Sequence, residues 1–333
     1  MAKNLTSINE FDIVFISFDE PNADENYANL LEKCPWAKRS HGVFGSDAAH
    51  KAAAAIAETD RFITIDADNI VRPDFFNVEI DMSRIGPDDV ISWAGKNTIN
   101  GLVYGNGGIK CWPKNVVNRM QTHENAPEGD KRAQVDFCWN INYVQMNNIY
   151  CDVMNNGSPL QAWRAGFREG VKMGLVDGDV VDPTHLRTQV HGKNYQRLLT
   201  WMTVGADVEN GLWAIYGARL GCHMTNITRT QWDWRNVRDF RWLTNFFETT
   251  VSPQFAVDEK TKSQELCPRT GHAWDYDKLK SESVRLGEDI RRLLKLEIAD
   301  MDSLGSKFFK RVYVNPSRLG AQIREDQVED KLE

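Results

Sequence analysis

Cysteine is sparse and unpaired in this sequence: Cys34, Cys111, Cys138, Cys151, Cys222 and Cys267 are scattered, with no C-x-x-C among them. That spacing excludes a zinc ribbon and a small disulfide framework, so reduced, packed thiols are expected. Long apolar runs are missing too. The first, FDIVFISF at 11–18, is too short to span a bilayer, and the MAKNLTSINEF before it lacks a charged leader with a small-residue cleavage site. The expectation is a soluble, cytoplasmic protein with no membrane partner. Nor is there an excess of positive charge. Forty Lys and Arg stand against 47 Asp and Glu, a net charge of -7, so the whole-chain field repels polyanions and any nucleic-acid contact must be local. Internal repeats and low-complexity tracts are also absent.

What is there suffices for a full core: 333 residues, 41% of them hydrophobic, make one large domain or two modest ones. Residues 11 to 68 carry the clearest pattern. Phe11 to Phe18 reads as a strand that stops at Asp19-Glu20-Pro21-Asn22, and Glu25 to Lys33 reads as a helix ended by Cys34-Pro35. Ser46 or Asp47 can cap an alanine-rich helix, Ala48 to Glu58, and Arg61 to Ile65 forms the next strand. These are β-α units, which predict a parallel sheet. Ligands of such sheets bind outside the carboxyl ends of the strands, so the Asp19-Glu20 turn and the Asp66-Ala67-Asp68-Asn69 turn should open on one crevice.

From 90 to 160 the pattern changes to short strands and Gly-rich turns, and sheet and loop do not separate. Residues 160–175 read as a helix with an apolar stripe (Trp163, Phe167, Val171) beside a basic one (Arg164, Arg168, Lys172). Two more helices are expected near 193–203 and 207–221, and a charged, periodic stretch begins at about Tyr276. Charge is uneven: residues 1–100 hold 9 basic and 17 acidic side chains, whereas 187–242 hold 8 and 4. The later segment, which also carries Trp201, Trp213, Trp232, Trp234 and Trp242, is the one plausible polyanion face.

Asp66-x-Asp68 at a strand end is the sharpest chemical feature. Two carboxylates one residue apart can share a divalent cation and its water, leaving open positions for pyrophosphate oxygens. An isolated D-x-D is common in turns, but this one follows two β-α units and sits where an open sheet holds its ligand.

FDIVFISFDEPNADENYANL, the KRSHGVFG turn, His50-Lys51 opening the Ala-rich helix, and FITIDADNIV together resemble GT-A glycosyltransferases. More closely they resemble the phage TET/JBP-associated glycosyltransferases, linked to sugar addition on 5-hydroxymethylpyrimidine bases of phage DNA. The likeness is strongest over 11–72 and continues through YGNGGIKCW and QAWRAGFREGVK to about 225; the last hundred residues are not matched. The resemblance implies an α/β, GT-A (Rossmann-like) fold with a mixed, mostly parallel sheet flanked by helices. A catalytic domain would cover 1–225 (a nucleotide-sugar half, 1–100, and an acceptor half, 101–225), with a Trp/Arg-rich and helical extension over 226–333. It implies Mn²⁺ or Mg²⁺ as cofactor and a nucleotide-sugar donor, a UDP-sugar. Asp68 would bind the metal, and Asp66 the ribose or a metal-bound water. Phe18, Asp19 and Glu20 would line base and ribose, while His41, His50 and Lys51 would lie near base or diphosphate. His191 or His185 would complete the metal shell. Phage DNA would be the partner, in the bacterial host cytoplasm.

A hydroxyl acceptor must lose a proton if the reaction inverts, and Asp136 is the candidate base; Val135 stands where the usual acidic pair has Glu. Gly107 and Gly108, in the Tyr104 to Gly108 run, can admit a sugar or acceptor against the backbone, or simply form a hairpin turn. That run lacks the Gly-Lys-Ser/Thr ending of a P-loop. Arg164 and Arg168 can receive phosphates. Trp232, Trp234 and Arg235 combine rings and guanidinium groups suited to an extruded base and its backbone, or to core packing. Three rivals remain: a GT-A enzyme acting on a glycan, lipid or protein; a sugar nucleotidyltransferase, which needs a Gly-rich basic loop that FISFDEPNADEN lacks; and a binding module without activity.

Overall fold

A computed structural model describes residues 4–131, 133, 134, 137, 138, 140–229, 232–257 and 274–312, the side chains of 104–107 and 147 excepted. The chain divides into two compact units, one built on residues up to Gly157 and one spanning Ser158–Arg311. The sequence-based boundary at 225 thus falls inside the second unit.

The first unit is a mixed α/β structure compatible with a Rossmann-like fold. Its elements are β1 (Leu5–Ser7), β2 (Asp12–Ser17), α1 (Ala23–Leu31), β3 (Lys38–His41), α2 (Ser46–Ile56), β4 (Arg61–Asp66), β5 (Asn69–Val71), β6 (Glu79–Asp81), β7 (Val90–Asn97), β8 (Val103–Pro113), α3 (Lys114–Arg119) and β9 (Tyr143–Val153). Seven strands form one sheet in the order β3-β2-β4-β8-β7-β9-β5, while β1 and β6 pair separately. β3, β2 and β4 are parallel neighbours, as the β-α pattern predicts, and β7 and β9 point the same way. Only β8 and β5 run against them.

Strand alternation sends Ile13, Phe15, Ile63, Ile65, Ile109 and Cys111 to one face, where α1 brings Ala23 and Leu30. Val14, Phe62, Trp112 and Val90 face the other way, onto Ala53 and Ala54 of α2 and Val116 and Val117 of α3. The buried free thiols of Cys34, Cys111, Cys138, Cys151 and Cys222 belong to such packing. Burial pushes the Cys34 thiol up to about 11 and those of Cys111, Cys138 and Cys222 up to about 12, so none is a poised nucleophile.

The stretch from 90 to 160 departs from the expected short strands and turns. It supplies three long strands, and the Gly-rich run lies inside β8 rather than in a hairpin turn. The β7–β8 ladder passes from Trp93↔Ile109 to Gly95↔Tyr104, so β8 carries extra residues there in a bulge, and β9 shifts register against β7 over the same positions. Glycines make such a bulge possible beside a packed neighbour.

The second unit is helical: α4 (Pro159–Lys172), a short hairpin of β10 (Leu175–Val176) and β11 (Asp179–Val180), α5 (Leu186–Gln189), α6 (Gly192–Trp201), α7 (Gly211–His223), α8 (Phe240–Phe246), α9 (Tyr276–Asp289) and α10 (Ser303–Val312). Its centre is the close approach of α4 and α7. A Cβ on Gly166 would stand 1.9 Å from Ala214 O and one on Gly170 2.1 Å from Ala218 O. Gly217 and Gly221 of α7 sit as tightly on the carbonyls of Trp163 and Phe167, each 2.4 Å from the added Cβ. This seam packs α4 on α7 within the second unit, which continues past 225 to Arg311. Among the described residues, no helix is long and apolar enough to cross a membrane.

Because the clash is with backbone, Gly170→Ala should lower unfolding free energy by about 1–3 kcal/mol. A denaturation midpoint equal to wild type would show that the seam is loose.

Candidate functional site

The acidic turn is held by its backbone. Asn26 Nδ2, from α1, donates to Ala67 O at 2.8 Å, and the Met154 N–H donates to Asp68 O at 2.6 Å. Asn69, itself buried, donates through Nδ2 to Asp66 O (3.3 Å) and to the Asp68 carboxylate (2.7 Å). Opposite lies the bulge: a Cβ on Gly108 would come 2.7 Å from Asp66 Oδ2 and 2.4 Å from Asn69 Nδ2. Glycine therefore lets β8 close on the turn.

The Asp66 carboxylate has no hydrogen-bond donor or ion-pair partner among the described residues, and buried Asn69 Oδ1 likewise has none. Such oxygens are hard donors of the kind that suit Mg²⁺ or Mn²⁺, ions usually held by one or two carboxylates plus substrate phosphates rather than by a protein cage. No cluster of three or more His, Cys, Asp or Glu that could hold a metal ion occurs among the described residues.

On the α2 face, Asp66 shares its surroundings with groups from three other elements. Buried His50 of α2 donates from Nδ1 to Ser46 O at 2.8 Å, leaving the Nε2 lone pair free to accept, and its ring lies against Trp112 and Phe137. Burial holds its pKa below the ordinary imidazole value, opposed in part by the nearby Asp66 and Asp47 carboxylates and aided by the Lys110 ammonium. His50 is thus neutral at pH 7. Lys110 of β8 and Ser92 of β7 stand opposite each other in the ladder, and the Ser92 hydroxyl is buried without a partner. Lys51 pairs with Asp47 at 2.7 Å. Neither Ser46 nor Asp47 caps α2. Glu124, from 77 residues away, accepts from the Asp47 N–H at 2.8 Å and from the Ser46 N–H at 3.1 Å, with Gly45 in the cap position.

The ends of β2 and β3 lie at the same sheet edge as the acidic turn, since Ile16 is registered with Asp66 and Ser17 with His41. Phe18 and Phe44 are 41% and 44% exposed and meet edge to face with centroids 5.7 Å apart. Glu20 accepts from the Phe18 N–H at 2.8 Å, fixing the turn, and Asp19 is exposed. Ser17 Oγ accepts from Arg39 Nε and lies 2.9 Å from Nδ1 of exposed His41.

The remaining candidates are placed differently. Asp136 lies outside the described residues. Gly107 and Gly108 belong to β8. His185 and His191 are in the second unit: His185 lies 3.8 Å from Asp182, and His191 caps α6 by accepting the Lys193 N–H at Nδ1. Arg164 and Arg168 both cover the Phe240 ring, at 4.5 and 4.9 Å, and Arg168 donates to Val237 O, so neither helix arginine is a free surface charge. Trp234 is 8% exposed beneath Arg235, and Trp232 packs between Phe167 and Trp242 while donating to Met224 O. These rings fill the interior, which corrects the expectation of a stacking surface at Trp234. The sequence reading missed Lys110, Ser92, Asn69, Phe44 and Glu124. One signal was present: Lys110 alternates with Trp112 in an otherwise apolar strand. Comparisons with protein-family models, with curated proteins and with solved structures found no match for this chain.

His50 also sets a pH dependence. Its folded pKa lies below the unfolded value near 6.5, so as pH falls through that value the unfolded chain takes up the proton first and stability drops. In His50→Gln the stability lost between pH 7.5 and 5.5 should be smaller by on the order of 1 kcal/mol. Parallel curves for the two proteins, measured by urea unfolding, would exclude a buried neutral imidazole.

Proposed function

We propose that this chain is a metal-dependent glycosyltransferase that moves a sugar from a nucleotide donor, a UDP-sugar by the resemblance stated above, to a hydroxyl acceptor. The observation that carries the reading is the unanswered Asp66 carboxylate beside Asp68, on a rigid turn at the carboxyl end of a central parallel strand, with a glycine bulge closing over it. Asp66 and Asp68 would hold a Mn²⁺ or Mg²⁺ ion, which when bound neutralises charge on a departing diphosphate. The chain's own residues supply the rest. Asn26 and the Met154 N–H fix the backbone of the turn, and Asn69 the Asp68 carboxylate, before any ligand arrives, so little reorganisation is needed at the moment of transfer. Phe18 and Phe44 offer a ring edge and face for a base, and the bulge at Gly107 and Gly108 leaves room for a sugar against backbone. Asp136 would take the acceptor proton in an inverting reaction.

For the acceptor, the resemblance points to the hydroxymethyl group of 5-hydroxymethylcytosine in phage DNA, with the reaction in the host cytoplasm. A second acceptor class, glycan, lipid or protein, is favoured by two observations: the net charge of -7, and the engagement of Arg164, Arg168, Trp232 and Trp234 inside their own unit.

The test combines the protein, Mn²⁺ and candidate UDP-sugars with hydroxymethylcytosine DNA, digested to nucleosides for mass analysis. A hexose or pentose mass shift supports the DNA acceptor. Donor cleavage with transfer only to a saccharide selects the second class, and no donor turnover on any acceptor refutes the glycosyltransferase reading. Asp68→Ala should lower turnover at least about a hundredfold. Gly108→Ala should do the same, because the added methyl would displace both Asp66 and the Asn69 side chain that holds the turn.

A further inference from the structure

We propose that Lys110 is an oxyanion receptor whose ammonium takes a phosphate oxygen of the ligand at Asp66, so that the protein selects diphosphates over monophosphates. The selectivity part rests on the glycosyltransferase reading; the anion site does not.

Lys110 is 5% exposed, yet its ammonium has neither a hydrogen bond nor an ion pair among the described residues. Its place is set by β8. Lys110 is registered with Thr64 of β4 and Ser92 of β7, two residues from Gly108, whose missing Cβ faces Asp66. Alternation therefore puts Lys110 on the same face of the sheet as Asp66.

Among the described residues, the groups around it do not answer its charge. Thr64 Oγ1 already accepts from Trp112 Nε1 at 2.9 Å, His50 is neutral, and Asp47 is paired with Lys51. Cys138 and Cys151 are protonated thiols that sense the ammonium. The Phe137 ring centroid is 5.9 Å away, at the outer limit of a cation–π contact and too weak to offset removal from water. Among the described residues, Asp66 is the nearby carboxylate left unpaired, and it stands at more than ion-pair distance from the ammonium. A buried ammonium in such a setting is stabilised by an anion that the ligand brings. A compact charge with three donors suits a phosphate oxygen, and the hydroxyl of Ser92, registered with Lys110, can donate to the same anion.

Isothermal titration of the full chain with inorganic pyrophosphate, in EDTA, tests the anion site directly. Wild type should bind, Lys110→Met should bind at least about tenfold more weakly, and Lys110→Arg should restore most of the loss. Thermal melting separates this from a structural role. Removing an unpaired buried charge should leave the Lys110→Met midpoint equal or higher, whereas loss of a stabilising contact would lower it. Equal pyrophosphate affinity in wild type and Lys110→Met, or no binding by wild type, overturns the proposal. With Mn²⁺ present, the preference for UDP over UMP should shrink about tenfold in Lys110→Met. If Mn²⁺-dependent UDP binding is lost in Asp68→Ala but the preference is unmoved in Lys110→Met, the selectivity claim falls and the glycosyltransferase reading stands. If no nucleotide binds with Mn²⁺, that reading falls, and the pyrophosphate result alone supports or overturns the anion site.

Discussion

The close approach of β8 to the end of β4 is the constraint on which the first unit's site depends. Where Gly108 passes Asp66 and Asn69, no side chain fits, and the ladder on either side absorbs the strain of that approach as a bulge. Asp66 is consequently presented at a rim, half-buried, without a donor to answer it. A side chain at this place would collide with Asp66 and Asn69 and displace them.

Charge is arranged around that rim with little cancellation. Asp47 and Lys51 neutralise each other on α2, and the Asp68 carboxylate is held by Asn69. Among the described residues, Asp66, His50 Nε2, Lys110 and Ser92 are left with unused bonding capacity in one region of the sheet. Packed proteins satisfy their buried polar groups, and this set on neighbouring elements is the ground on which a ligand site is proposed there. The rigid holding of the turn by Asn26 and the Met154 N–H agrees with that purpose, since a binding constellation works best when its backbone does not have to move.

The second unit follows another rule. Helices α4 and α7 touch through glycines on both sides, which brings carbonyls and ring faces close enough for Trp163, Phe167, Trp213 and Phe247 to form one aromatic interior. Arginine takes part in that interior: Arg164 and Arg168 cover Phe240, and buried Arg219 is tied to Asp300 and to the carbonyls of Met202, Ser283 and Ala299. A segment rich in tryptophan and arginine therefore reads like a nucleic-acid face in one dimension and packs as a core in three.

The sequence by itself determined the parallel strands β2 and β4, the helices α1 and α2 and the acidic turn after FITI, because these rest on local periodicity and on turn residues a few positions apart, whereas β3 lies in a stretch that reads as a turn. Their bounds moved by one to two residues at most strand and helix ends. It did not determine the long antiparallel β8, the cap of α2 by Glu124, the boundary near 157, or the burial of Lys110. Each of these depends on partners 20 to 100 residues away, brought together only when the sheet closes. Lys110 shows the physical reason most plainly: a lysine reads as a surface charge in sequence, and only tertiary packing removes its water.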